Sequence, residues 1–403
     1  MDSFYRLENT IREYAWGHKS HLPEFLGMEN PGKKPMAELW MGAHPSAPSA
    51  IRVDGRTVGL DDWLDSDPVN TLGADVYRDF GGLPFLFKLL AAGSSLSIQA
   101  HPDKKTAEEG FQREDESGIP RDAGNRNYRD DNHKPEIIMA LTTFTAMIGF
   151  RHPQDILGNF KELGIPEKEL PKKMMENLSR GTPRAMKEFL SRLLTSEEDV
   201  TSRILDAAVR RTEDADIPWG PLQCKWVRRL SNQFPGDVGV LAPLFLNVLE
   251  LKPGEALYQP ARALHAYLEG FGVELMANSD NVLRGGLTPK NIDVPELVRV
   301  LDFEPTVPGI ITPGDADENG WVRYDTPARE FALAVSNLSE KSSTRIPSGT
   351  GPSVILVLEG KIVLDDETNR LELNRGESAF IPWKTPDLFV RGVGRVSLAS
   401  VKR

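Results

Sequence analysis

Residues 95–105 read SLSIQAHPDKK, and three of them could share a chemical task. Leu96, Ile98 and Ala100 alternate with Ser97, Gln99 and His101, the period of a β-strand. That period places a hydroxyl, an amide and an imidazole on one face, and Pro102 ends the pairing because it has no N–H to offer. Such a face needs solvent or something to bind. Two other segments supply partners. ALHAY (263–267) reads as a strand with His265 and Tyr267 on one face, and NHKPE (132–136) sets Lys134 and Glu136 on one side and His133 on the other. Gln99, His101, Glu136 and His265 make a nitrogen and oxygen donor set suited to Zn²⁺ or a similar divalent ion. One carboxylate among neutral donors leaves about one positive charge on the site, which favours a Lewis-acid role over a closed structural one. Taken singly, each histidine is more often a hydrogen-bonded core or surface residue. The three segments are also too far apart for spacing to decide.

The elements that would position these residues follow from texture. A chain of 403 residues exceeds one ordinary core, so two or three structural units are expected. Residues 1–152 carry short apolar runs such as LPFLFKLL (83–90) and PEIIMALTTFTAMIGF (135–150) and read mostly as β. Residues 153–237 change character. The stretch EKELPKKMMENLSRGTPRAMKEFLSRLLTSEEDV has apolar residues at helical spacing, with Ser or Thr before acidic pairs, which predicts capped amphipathic helices. The β pattern returns over 238–320 and again over 321–403. LELKPGEALYQP (249–260) matches LELNRGESAFIP (371–382), which predicts one hairpin used twice, in two related β-sandwich or barrel units. His265 follows the first copy; WKTPDLF follows the second and has no histidine. One unit is thus equipped for chemistry and the other for packing.

Composition excludes several classes. A net charge of −11 argues against general nucleic-acid binding, though a local cationic pocket still admits a small anion. No run of about 18 apolar residues is present, and the charged first residues do not read as a signal peptide, so no membrane partner is expected. The single cysteine, Cys224, rules out an internal disulfide framework and fits a cytoplasmic location.

Five blocks occur in order: AELWMGAHPSAPS (37–49), LPFLFKLL (83–90), LSIQAHPDK (96–104), NYRDDNHKPE (127–136) and HAYLEGFGVELMANSDNVLRGGLTPK (265–290). Together they closely resemble the type I mannose-6-phosphate isomerases, and the resemblance covers nearly the whole chain. It implies a mainly β fold: a cupin-type jelly-roll β-sandwich catalytic domain, an inserted α-helical domain and a second, C-terminal jelly-roll without a metal site. It implies one zinc ion per chain, held by Gln99, His101, Glu136 and His265, and a monomer. It also implies reversible isomerisation of mannose 6-phosphate and fructose 6-phosphate through a cis-enediol. That reaction needs a base for a weakly acidic C–H, a stabiliser for the oxyanion and a proton shuttle between O1 and O2. Lys134, His133, Glu274, Asp280 and Lys88 are the candidates for base and shuttle. The residues alone leave them unranked, because acidity follows from burial and neighbours. Arg284 resembles the family's active-site arginine and suits either an enediolate or a phosphate. Ser97, Lys134 and Lys290 are candidate donors to the substrate's phosphate, and Trp16, Glu38 and Tyr267 are expected to line the sugar pocket. One departure stands out. The small-residue turn of the PAGEIHAY type is here PARALHAY, with Arg262 in it, which either adds positive charge at the pocket mouth or is exposed without effect. The rival classes are a different metal-dependent cupin enzyme and a non-catalytic sugar-phosphate binder.

Overall fold

The computed structural model describes residues 3–165, 172–214 and 216–402. Eleven strands join in one sheet system around a single long strand, His265–Ala277. Its later half pairs with Phe85–Ala92 on one side and Glu136–Ala140 on the other. Its earlier half pairs with Phe144–Phe150 and touches Ile98–Ala100. Leu283–Gly286 extends the sheet beyond Ile98–Ala100, and Glu38–Met41 extends it beyond Phe85–Ala92.

The apolar runs become strands whose two faces do different work. From LPFLFKLL, Phe85, Phe87 and Leu89 enter the large core. Leu86, Lys88 and Leu90 line a cavity on the opposite face. Glu38 and Trp40 likewise line the cavity, while Leu39 and Met41 enter the core. Strict alternation would break this scheme along His265–Ala277, because Tyr267 and Glu274 lie an odd number of residues apart yet both line the cavity. A register shift between Tyr267 and Glu269 resolves it: one extra residue on this strand reverses the alternation. Gly270, just after the shift, has φ of 140°, where an added Cβ would meet Phe144 at 2.6 Å.

The carboxy-terminal sheet runs Tyr5–Arg6, Ser378–Ile381, Ser353–Asp365, Leu388–Ser400, Ala332–Leu338, Val322–Tyr324. The chain's first strand therefore lies in its last sheet. The repeat is real but is not a hairpin. Leu246–Leu251 pairs with Phe144–Phe150, and Ala256–Gln259 pairs with Glu136–Ala140. In the second copy, Arg370–Asn374 and Ser378–Ile381 pair with the two halves of Ser353–Asp365. In each copy the two strands part company at the Gly-Glu turn. Gly254 and Gly376 sit there at φ of 90° and 85°, which non-glycine residues resist.

Helices occupy the region between the β segments: Pro153–Lys161, Lys172–Ser179, Pro183–Leu194, Glu198–Arg211 and Pro221–Gln233. Part of the EKELPKK stretch lies outside the described residues. Thr182 caps its helix through the Ala185 N–H at 3.2 Å as expected. The TSEED start instead places Glu197 at the N-cap with no side-chain cap bond. No described helix is long and apolar enough to cross a membrane.

One core joins the two sheet systems. Leu333 and Leu356 from the carboxy-terminal sheet, with Phe331 just before the strand Ala332–Leu338, pack with Ile137, Phe271 and Leu275. Phe331 is fully buried there. Phe331→Ala should lower the unfolding free energy by about 3–5 kcal/mol. Urea denaturation with an unchanged midpoint would show that the two sheets do not share a core.

Candidate metal centre and active site

His101, Glu136 and His265 converge from three segments, each contributing one ligand atom, all within 4.8 Å of one another. Sequence places His101 one residue past the strand Ile98–Ala100, which is shorter than the alternation predicted. Asn281 instead reaches the His101 ring. Its carbonyl lies 2.6 Å from His101 Nδ1, and the Ala263 carbonyl lies 2.9 Å from His265 Nδ1. A carbonyl only accepts, so both Nδ1 atoms carry the proton and both Nε2 lone pairs face inward. Those Nε2 atoms and Glu136 Oε2 are buried without a hydrogen-bond partner among the described residues. The separations are 3.5 Å for His101 Nε2 to Glu136 Oε1 and 3.6 Å for His265 Nε2 to Glu136 Oε2. These are too long for hydrogen bonds. They are close to the roughly 3.3 Å edge of a tetrahedron with zinc–ligand arms of about 2.0–2.1 Å. Gln99 pairs with His265 in the ladder and lines the adjoining cavity. The residues present fit a divalent ion.

Electrostatics point the same way. Burial, aided by nearby Lys134, pulls the His101 imidazole down to about 3, so it stays neutral and able to ligate. Burial pushes Glu136 towards its neutral form, but the Lys134 ammonium reverses this and holds the carboxyl well below its usual range. Lys134 Nζ sits 3.0 Å from Glu136 Oε1.

The adjoining cavity measures about 690 Å³. It is lined by Ser97, Gln99, Lys134, Glu136, Asp280, Arg284 and Lys290, and by Trp16, Glu38, Lys88, Tyr267 and Glu274. On its wall Lys88 Nζ donates to Glu274 Oε2 at 3.0 Å and lies 3.5 Å from Glu38 Oε1. Trp40 Nε1 donates to Glu38 Oε2 at 2.8 Å. Burial opposes the Lys88 charge, yet Glu274, Glu38 and Glu136 outweigh it and raise its pKa above the ordinary lysine value. Burial raises the Glu274 carboxyl, with Glu136 and Glu38 adding to the effect and Lys88 opposing it. Burial also raises Tyr267 well above the usual phenol value. Arg284 and Lys290 are both lowered, first by burial and then by cationic neighbours, Arg129 among them.

One expectation is corrected. His133 does not reach the cavity: its ring turns to the other side, where Nε2 lies 2.6 Å from Glu330 Oε1. Of the two alternatives for Arg262 the structure favours the second: the residue is exposed and does not line the cavity. Its Nε donates to the Val300 carbonyl at 3.0 Å, and its backbone N–H donates to the His101 carbonyl at 2.7 Å. Its φ of 70° is the left-handed region that glycine occupies freely, so this turn holds its shape at a cost of about 1–2 kcal/mol.

Three contributors escaped the sequence reading. His44 lines the cavity with Nε2 3.6 Å from Asp280 Oδ1, and burial lowers its pKa. Asn281 orients His101 and also clamps the 129–132 loop, accepting the Arg129 N–H at 2.7 Å and donating to the Asn132 carbonyl at 2.9 Å. Arg129 adds charge beside Arg284. All three lie inside the quoted blocks AELWMGAHPSAPS, ANSDNVLRGG and NYRDDN, whose polar residues were the available signal.

Comparison with known proteins matches "Phosphomannose isomerase type I, catalytic domain" over residues 4–153 and "Phosphomannose isomerase type I, helical insertion domain" over 165–246. The mannose-6-phosphate isomerase of Escherichia coli (strain K12) is 40% identical over 395 residues, 97% of this chain and 98% of that protein. A zinc-bound crystal structure of mannose 6-phosphate isomerase superposes with a TM-score of 0.91 at 38% identity, covering 100% of both chains. A structure of the Salmonella typhimurium enzyme bound to its substrate and a zinc atom superposes with a TM-score of 0.90 at 38% identity, again over 100% of both chains.

Removing Lys88 would leave Glu274 and Glu38 buried without their cation. Lys88→Met should destabilise the protein by about 3–5 kcal/mol. Adding Glu274→Gln should recover part of that loss. Chemical denaturation of the single and double variants checks both; a neutral single variant would mean the ammonium is not needed there.

Proposed function

The chain belongs to the type I phosphomannose isomerase family, and from that premise we propose that it interconverts mannose 6-phosphate and fructose 6-phosphate with one zinc ion per chain. One observation carries the reading. A single cavity joins a buried triad of orphaned zinc-ligand atoms to two cations, Arg284 and Lys290, that no carboxylate neutralises among the described residues. A sugar phosphate asks for both: a Lewis-acidic cation for its vicinal oxygens and unpaired positive charge for its phosphate.

His101, Glu136 and His265 hold the ion, with the Gln99 carbonyl as the fourth protein ligand. Bound zinc supplies a Lewis acid that polarises or orients the oxygens on C1 and C2. Arg284, Lys290 and Ser97 bind the phosphate. Glu274 takes the C2 proton of the open-chain aldose, O1 gains a proton, and the cis-enediol results. Loss of the O2 proton and return of the carbon-bound proton to C1 complete the ketose. A carboxyl raised by burial is a stronger base than an exposed one, and the Lys88 ammonium keeps its ionised form accessible. Lys134 and Asp280, the latter beside His44, move the proton between O1 and O2. Trp16, Glu38 and Tyr267 shape the sugar pocket.

We read the eleven-stranded system as a cupin-type jelly-roll over 1–152 and 238–320, interrupted by a helical domain at 153–237. Residues 321–403 are a second jelly-roll without a metal site. The matched strand pairs around the two Gly-Glu turns support this division. The family resemblance supports reading the enzyme as a monomer. A buried free Cys224 accords with the cytoplasm.

Chelation should abolish conversion of mannose 6-phosphate to fructose 6-phosphate, and zinc should restore it, in a coupled assay. Full activity after verified metal loss would overturn the zinc role. Lys290→Ala should raise KM about tenfold or more with kcat nearly kept, as expected for a lost charged hydrogen bond. An unchanged KM would remove Lys290 from the phosphate site. The acid limb of kcat/KM should lie above the ordinary glutamate value of about 4.3. Lys88→Met should move it to higher pH, because the ammonium lowers the Glu274 pKa and its loss raises it. A limb unmoved by that change would exclude Glu274 as the base.

A further inference from the structure

The segment that delivers Lys134 and Glu136 to the cavity lacks a sheet partner until Glu136 itself. Asn132 is tied at one end, with its Nδ2 donating to the Asn278 carbonyl at 3.0 Å. Pro135 is tied at the other, its carbonyl accepting the Ala277 N–H at 3.1 Å. Between them, among the described residues, neither the His133 nor the Lys134 backbone makes a hydrogen bond. The His133 ring supplies the missing anchor through its 2.6 Å bond to Glu330 Oε1.

Glu330 is well fixed for this purpose. It lies just before the strand Ala332–Leu338 and is only 7% exposed. Its Oε2 accepts the Arg329 N–H at 3.1 Å, and the next residue, Phe331, is locked in the shared core. Burial pushes the Glu330 carboxyl towards neutrality, but the His133 ring and backbone N–H groups outweigh it and keep the carboxyl below its usual value. The acceptor is therefore charged, and its hydrogen bond strong. In extended chain, neighbouring side chains point to opposite sides. Pinning His133 on the side away from the cavity sets Lys134 towards it, where Nζ meets Glu136.

We propose that His133 and Glu330 form a positioning strut through which the carboxy-terminal sheet holds the Lys134–Glu136 segment at the metal centre. Neither residue touches substrate. The inference rests on the zinc reading above and assigns the carboxy-terminal unit a task in it.

The test is the rate of zinc release from the holoenzyme to a competing chromophoric chelator, measured alongside kcat and KM. Glu330→Ala and His133→Ala should each speed release about tenfold or more, the range for lost outer-shell partners. Both should lower kcat more than they change KM. The double variant should release zinc no faster than either single variant, because both remove one shared interaction. Glu330→Gln, whose amide oxygen still accepts the bond, should recover most of the effect. Arg329→Ala breaks only the exposed 3.7 Å ion pair with Asp79 and should match wild type. Release rates for both single alanine variants within about twofold of wild type would overturn the strut while leaving the zinc site intact, as would fully additive effects. If Glu330→Ala does not fold, His133→Ala alone decides, since that side chain is already 27% exposed. A wild-type protein that takes up no zinc would overturn the metal reading and the strut with it.

Discussion

Glu136 is a carboxylate kept charged in a place almost without water. It is 2% exposed, and burial alone would protonate it. The Lys134 ammonium at 3.0 Å prevents that, and two imidazoles from other parts of the chain face the same carboxylate. A buried charge without partners would cost several kcal/mol. The surrounding architecture meets that constraint: a sheet to bring His265 across from Gln99, a backbone carbonyl to turn each imidazole, and a loop clamped by Asn281 to present Lys134. The same logic repeats at Lys88, where two glutamates surround one buried lysine. The cavity wall is thus a set of charges that require one another, and a reactive surface arises where their balance pushes pKa values apart.

Much of this was legible in the sequence because strand period is a strong signal. Phe85, Phe87 and Leu89 against Leu86, Lys88 and Leu90 divide between core and cavity as a period of two demands. The four expected metal-site residues meet or adjoin at the centre. What stayed hidden depends on irregular backbone. The bulge after Tyr267 has no signature beyond Gly270, so the shared direction of Tyr267 and Glu274 could not be counted out. His133 was separable from Lys134 by alternation, but its destination was not, because Glu330 lies 197 residues away. Arg262 stayed undecided between two places for a similar reason: its charge was visible and its left-handed backbone was not. The strands of the repeat pair with third parties instead of forming the expected hairpin, a fact that belongs to topology rather than to local pattern.

The two sheet systems differ in what they retain. Both are built on a 13-residue strand, His265–Ala277 in one and Leu388–Ser400 in the other. The first begins with a metal-ligand candidate; the second begins with leucine, buried in its own core. The second unit's connection to the chemistry runs through its surface instead, by way of Phe331 in the common core and Glu330 against His133.

The central position of His265–Ala277 has a consequence for how the protein is made. Its partners, Phe85–Ala92, Glu136–Ala140 and Phe144–Phe150, leave the ribosome long before it does, with the helical region emerging in between. Until this strand arrives, they lack their middle neighbour and expose unpaired, strongly apolar edges. The helices, whose contacts are local, fold quickly by comparison. In the finished fold they cover one face of those strands, where Met147 and Phe150 share a core with Phe160 and Phe189, so the cover is synthesised before the strand that completes the sheet.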